Sequence, residues 1–140
     1  MRIATLRNDD QEAAAIRLAS GYLPLRDIIA AGGTQWPETV WELIVSGRLG
    51  DLSEWWKTQK QALVSDLERK VIAIESVHAG PLFRSPSRIW GIGLNYADHA
   101  ADLDENAPET IPGSFMKPVT TIIGPGDTIR IPRLSQRTTA

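Results

Sequence analysis

Short apolar runs broken by turn residues fill the first quarter of the chain. Helical spacing takes over in the middle, and short extended runs return after residue 110. Residues 2–7 predict an opening strand, and Asn8-Asp9-Asp10 predicts a turn. Residues 13–18 admit two readings. The alanines, with Asp9 and Glu12 as a capping box, allow a helix. The alternation of Ile16 and Leu18 with Arg17, followed by a Ser20-Gly21 link to Tyr22, Leu23 and Leu25, favours a hairpin.

Residues 24–32 predict a short helix with Pro24 near its start and Gly32 at its stop. Residues 37–49 predict a second, because Val40, Trp41, Ile44, Val45 and Leu49 recur at helical spacing between Pro37 and Gly50. Residues 52–67 predict a third, capped by Ser53, with Trp55, Trp56, Leu63 and Leu67 apolar and Glu54, Lys57 and Lys60 on the wet face. Trp41, Trp55 and Trp56 sit at core spacing and are expected to pack the helices, not to form a ligand cage.

Residues 75–87 are rich in glycine, proline and serine and read as a connector containing His78, an isolated histidine with no expected role. The expected organisation is a small domain over 1–80 and the start of a second over 85–140. In the second part, residues 115–118 and 121–123 read as extended pieces and 124–127 as a type II turn. Residues 128–132 alternate as a strand ending at Pro132.

Composition narrows the function classes. In 140 residues, charged side chains make up 23% and apolar ones 42%, which is globular. The net charge of −2, without a basic stripe, argues against a nucleic-acid partner. Absence of cysteine removes disulfides, thiolate zinc sites and a cysteine nucleophile. No apolar run reaches membrane-spanning length, so the expectation is a cytoplasmic protein without a membrane partner.

The densest chemistry lies in 89–118, where an apolar glycine-containing run turns abruptly into Asn95-Tyr96-Ala97-Asp98-His99-Ala100-Ala101-Asp102. His99 and Asp102 are three apart, so on a helical turn the carboxylate can orient the imidazole as a base for water. The same spacing also suits a plain surface contact. Asp102, Asp104, Glu105 and Glu109 form an acidic run suited to a solvated loop or to a lid beside a site. Gly91-x-Gly93 lacks the third glycine of a dinucleotide fingerprint. The turn at 124–127 is not followed by a P-loop lysine–serine pair.

The run Ile89-Trp90-Gly91-Ile92-Gly93-Leu94-Asn95-Tyr96-Ala97-Asp98-His99-Ala100 resembles the signature opening the catalytic domain of the fumarylacetoacetate hydrolase family. Phe115-x-Lys117-Pro118, Gly124-Pro125-Gly126-Asp127 with Ile129 and Pro132, and the tail Ser135-Gln136-Arg137 resemble the same family in the same order. The first 80 or so residues resemble the small N-terminal domain of many bacterial members. The resemblance implies an α+β chain, a small N-terminal α/β domain followed by the beginning of a mostly β catalytic roll that dimerises. It implies a Mg²⁺ or Mn²⁺ ion chelating a 2-oxo or β-diketo acid during C–C hydrolysis, decarboxylation or isomerisation.

By position, His99 is the family's base, Asp102 stands where the family usually has glutamate, and Lys117 lines the substrate pocket. The family's metal ligands, a Glu-x-Glu pair and a later Asp, are expected beyond Ala140, so none is assigned within the chain. The reading that follows is a metal-dependent enzyme of small oxo-acids that works as a homodimer in its full-length form. The alternative is a truncated, non-catalytic chain that serves as an interaction or dimerisation module through its tryptophan-rich helices.

Overall fold

A computed structural model describes residues 1–8, 11–32, 34–93, 96–102, 106–109 and 111–133. The chain divides into two compact units, Met1–Phe83 with Ile123–Ala140, and Arg84–Ile122.

The first unit begins with an antiparallel meander of β1 (Ile3–Asn8), β2 (Gln11–Arg17) and β3 (Gly21–Pro24). Ile3 pairs with Ile16, and Arg17 with Tyr22, so the hairpin reading of residues 13–18 holds. Two short strands, β4 (Ile72–Ala73) and β5 (His78–Ala79), complete a sheet of order β4-β3-β2-β1-β5. All its pairings are antiparallel.

Three helices follow the meander, α1 (Leu25–Gly32), α2 (Val40–Val45) and α3 (Leu49–Asp66). The core joins one face of the sheet, through Ala14, Ile16 and Leu23, to Leu25 and Ile28 of α1, Val40 and Leu43 of α2, and Leu52, Trp56 and Leu63 of α3. Leu23, Leu25, Ile28, Leu43 and Leu52 are each completely buried, and each such side chain contributes about 1.5–3 kcal/mol of transfer free energy. Antiparallel strands with helices packed on one face make the fold α+β. Trp56 is a core residue, with Trp55 packed against the cluster and 5.8 Å from Trp36. Trp41 instead packs on Phe83, with ring centroids 5.5 Å apart.

The helix boundaries differ from those expected at 37–49 and 52–67. The start of α2 is set by Thr39, whose hydroxyl accepts from the Glu42 amide while the Glu42 carboxylate accepts from the Thr39 amide. Its end is set by Gly47 at φ +71°, a left-handed conformation that favours glycine. The next helix starts at Leu49, so Gly50 lies inside its first turn and Ser53 lies in its body instead of capping it.

The expected connector at 75–87 is also partly structured. Ile74–Ser76 is a 3₁₀ turn, and His78 pairs with Arg7 across β5 and β1. Beyond it, Thr5 Oγ1 donates to the Leu82 carbonyl at 2.8 Å, and the Gly80 amide donates to the Thr5 carbonyl. The turn at 124–127 docks in this same unit. The Asp127 amide donates to the Gly124 carbonyl and Gly126 has φ +81°, as a type II turn requires. The strand expected at 128–132 does not form. Alternation alone supplies no hydrogen-bonding neighbour, and Ile129 and Ile131 remain exposed.

The second unit holds β6 (Ile89–Gly93), α4 (Ala97–Asp102) and β7 (Gly113–Lys117). The two strands pair antiparallel from Ile89↔Lys117 to Gly93↔Gly113. Of the extended piece expected at 121–123, Thr121 instead ends a 3₁₀ turn, Val119–Thr121.

Candidate active site

An antiparallel hairpin with a helix off one end frames the candidate site. Glycine at 91 leaves room for Phe115, its cross-strand partner, to lie across it. A Cβ at Gly91 would sit 2.4 Å from Phe115 Cζ and 2.6 Å from Cε2. Phe115 in turn lies under the Lys117 ammonium, whose Nζ is 5.7 Å from the ring centroid. Lys117 and Phe115 are two apart on β7 and therefore share a face. The cation–π contact holds an exposed lysine without neutralising its charge, which leaves it able to meet a substrate anion.

The peptide leaves β6 at Gly93 and re-enters regular structure as α4. Within α4, the Ala100 amide donates to the Tyr96 carbonyl at 3.0 Å, and Ala100 is completely buried. Ala100 thus marks the buried side of α4, while Ala97, Asp98 and Ala101 are exposed. The backbone of His99 and Asp102 belongs to α4, three residues apart on one helix. Their side chains lie outside the described residues, as do Asn95, Asp104, Glu105 and the Ser135-Gln136-Arg137 segment.

The register places Lys117 and the start of the segment leading to α4 at opposite ends of the hairpin. Lys117 pairs with Ile89, whereas α4 follows Gly93 at the other end. Four strand steps separate these ends, roughly 13 Å. The sequence shows Phe115 as part of a family motif, but not as the support of Lys117. The available signal was an in-strand glycine facing an aromatic residue on the partner strand.

No group of three or more histidine, cysteine, aspartate or glutamate side chains among the described residues is placed to hold a metal ion. The described residues therefore assign no ligand to the divalent ion that the family resemblance implies. Elsewhere, Arg7 in the first unit gives both terminal nitrogens to Asp127, at 2.7 and 3.2 Å. Asp127 also accepts from the Gly124 amide at 2.7 Å. The hydrogen bond to Asp127, followed by the charge of that carboxylate, raises the Arg7 pKa above its ordinary value. No helix among the described residues is long and apolar enough to cross a membrane.

Comparison with known proteins bears on the same stretch. Residues 88–139 match the family model for the fumarylacetoacetate (FAA) hydrolase C-terminal domain. The chain is 52% identical over 52 residues to an uncharacterized protein of Archaeoglobus fulgidus, covering 37% of this chain and 20% of that protein. It is 43% identical over 51 residues to a mitochondrial oxaloacetate tautomerase of Arabidopsis thaliana, covering 36% and 22%. It is 34% identical over 80 residues to a mitochondrial oxaloacetate tautomerase of Xenopus laevis, covering 57% and 24%. The matches thus span about a fifth to a quarter of the length of these curated relatives. No solved structure gives a significant match. Residues 88–139 are thus similar to the fumarylacetoacetate hydrolase family, in the stretch that carries the sequence resemblance.

Proposed function

We propose that this chain serves a metal-dependent enzyme acting on small 2-oxo or β-diketo acids. The reaction is C–C hydrolysis, decarboxylation or isomerisation, with His99 as base, Asp102 orienting its imidazole, and Lys117 meeting the substrate's negative charge. The family match over 88–139 carries the reading, because it contains His99, Asp102 and Lys117. The relatives named oxaloacetate tautomerases favour isomerisation first.

In that reaction a base accepts the enol hydroxyl proton and the carbon beside the new carbonyl gains a proton, so one proton moves with no change in oxidation state. An imidazole with a carboxylate partner suits this, since the carboxylate stabilises the protonated ring between the two transfers. The proposal includes Mg²⁺ or Mn²⁺, with ligands outside the described residues, and a homodimer in the cytoplasm. The steps assigned to this chain are the proton steps.

The test follows the enol-to-keto conversion of oxaloacetate by ultraviolet absorbance, with Mg²⁺ present, in the protein carrying this segment. His99→Ala is expected to lower kcat by about 10²–10⁴-fold while divalent-ion binding stays within roughly twofold. Unchanged turnover in that variant would remove His99 from the mechanism. Asp102→Asn, which leaves an orienting oxygen but no charge, is expected to fall between wild type and His99→Ala.

A further inference from the structure

The five-stranded sheet cannot be flat. β4 and β5 are its two outer strands, yet only residues 74–77 join them, and Ile74–Ser76 of that link is a compact 3₁₀ turn. Four interstrand spacings of a flat sheet measure about 19 Å. Five Cα steps reach about 18 Å fully extended, and less with a 3₁₀ turn among them. The sheet must therefore curl until its edges approach.

The register shows what lines the two faces. Ala14, Ile16 and Leu23 face the helical core. The alternate set, Leu6, Ala13, Ala15, Pro24 and Ile72, shares the opposite face through the pairs Leu6↔Ala13, Ala15↔Pro24 and Tyr22↔Ile72. Ala15 is completely buried although it lies outside the core cluster.

A cavity of about 260 Å³ lies on this second face, lined by Leu6, Ala13, Pro24 and Ile72 and bounded by Val77 of the link. Alanine on the middle strand leaves the space open. Exposed Arg26 and His78 and the Ser76 residue also border it. Arg7 borders it too, but its guanidinium is engaged by Asp127.

We propose that this cavity is a binding site for a small organic monocarboxylate with an apolar body, its carboxylate held by Arg26. The floor is hydrocarbon, and a dry apolar cavity of about 150 Å³ already accepts benzene. The rim supplies a fork-shaped cation suited to a carboxylate. This proposal is independent of the reaction assigned to residues 88–139, since every residue it uses lies in the first unit.

Benzoate is the probe, and benzamide its neutral isostere, titrated into the ¹⁵N-labelled 140-residue chain. Benzoate is expected to shift the amide signals of Ala13, Ala15 and Val77, to bind about tenfold more tightly than benzamide, and to lose about tenfold in affinity in Arg26→Gln. The neutral probe separates the contribution of the charge from that of the apolar body. No shifts at those amides would overturn the site. Equal affinity for the two probes, or unchanged benzoate affinity in Arg26→Gln, would overturn the ligand class.

Discussion

Gly21 and Gly91 are constrained by close approach, not by an unusual backbone angle, and the two sites differ in what could yield to a side chain. A Cβ at Gly21 would lie 2.2 Å from the Ile72 carbonyl oxygen and 2.8 Å from Val71 Cγ1. The oxygen belongs to the backbone of the neighbouring strand and cannot swing aside. Gly21→Ala is therefore expected to break the β3–β4 pairing and cost about 1–3 kcal/mol or more, read as a lower midpoint in urea unfolding. At Gly91 the obstructing atoms belong to Phe115, a half-exposed ring that can rotate away. Gly91→Ala is expected to cost less, about 1 kcal/mol, but to leave Lys117 without its aromatic support. Faster amide exchange at Trp90 and Met116, with the first unit unaffected, would show it. Unchanged exchange in that hairpin would mean that Phe115 does not hold it.

These glycines also show how far single residues can be read from sequence. Gly21 is legible as a turn residue after Ser20. Its tighter constraint comes from β4, a two-residue strand too short to carry any periodicity of its own. The residues of the family signature, Ile89 to Ala100, were legible because their order is specific. Phe115 as the support of Lys117 was not, because a cross-strand register cannot be read from either strand alone.

Among the elements, the meander and α1 were legible from alternation, the Ser20-Gly21 link and the Pro24/Gly32 pair. The junction of α2 and α3 was not, because two glycines three residues apart offer two possible stops. Only the left-handed conformation of Gly47 chooses between them. The start of α2 rests on a local device that can be removed cleanly. Thr39→Ala deletes the hydroxyl that accepts from the Glu42 amide, and the exposed site leaves no cavity. A loss of about 0.5–2 kcal/mol is expected, with Thr39→Ser retaining most of the stability. Chemical denaturation of the three proteins checks this, and equal midpoints for alanine and serine would discount the cap. The converse failure is the run at 128–132. Its alternation is genuine, but a strand exists only by pairing.

At the scale of the whole molecule, the first unit draws on two stretches of chain separated by the second. The joint is specific. Asp127 receives both terminal nitrogens of Arg7 and the amide of Gly124, and Gly124 itself is buried against the Ala79 carbonyl and the Pro81 nitrogen. The raised Arg7 pKa fixes the sign of its pH dependence. Stabilisation by the charged guanidinium is fully present below the ordinary arginine range and is lost only as pH rises through it. Arg7→Gln should thus lower stability by the same amount throughout the neutral range, and by less in high salt, because the pair is partly exposed.

A fragment ending at Phe83 lacks Gly124 and Asp127 but keeps all five strands and α1–α3. It is expected to fold with a melting temperature below that of the 140-residue chain. Within the fragment, Arg7→Gln should have a smaller effect, since Asp127 is gone and the cross-strand charge of Glu12 remains. In the intact chain the same substitution should lower the melting temperature, and the difference between the two effects measures the coupling of the stretches. Equal effects in both backgrounds would mean that the Asp127 turn adds nothing to the first unit through Arg7. In that case the buried backbone of Gly124 would be what joins the returning chain to the sheet.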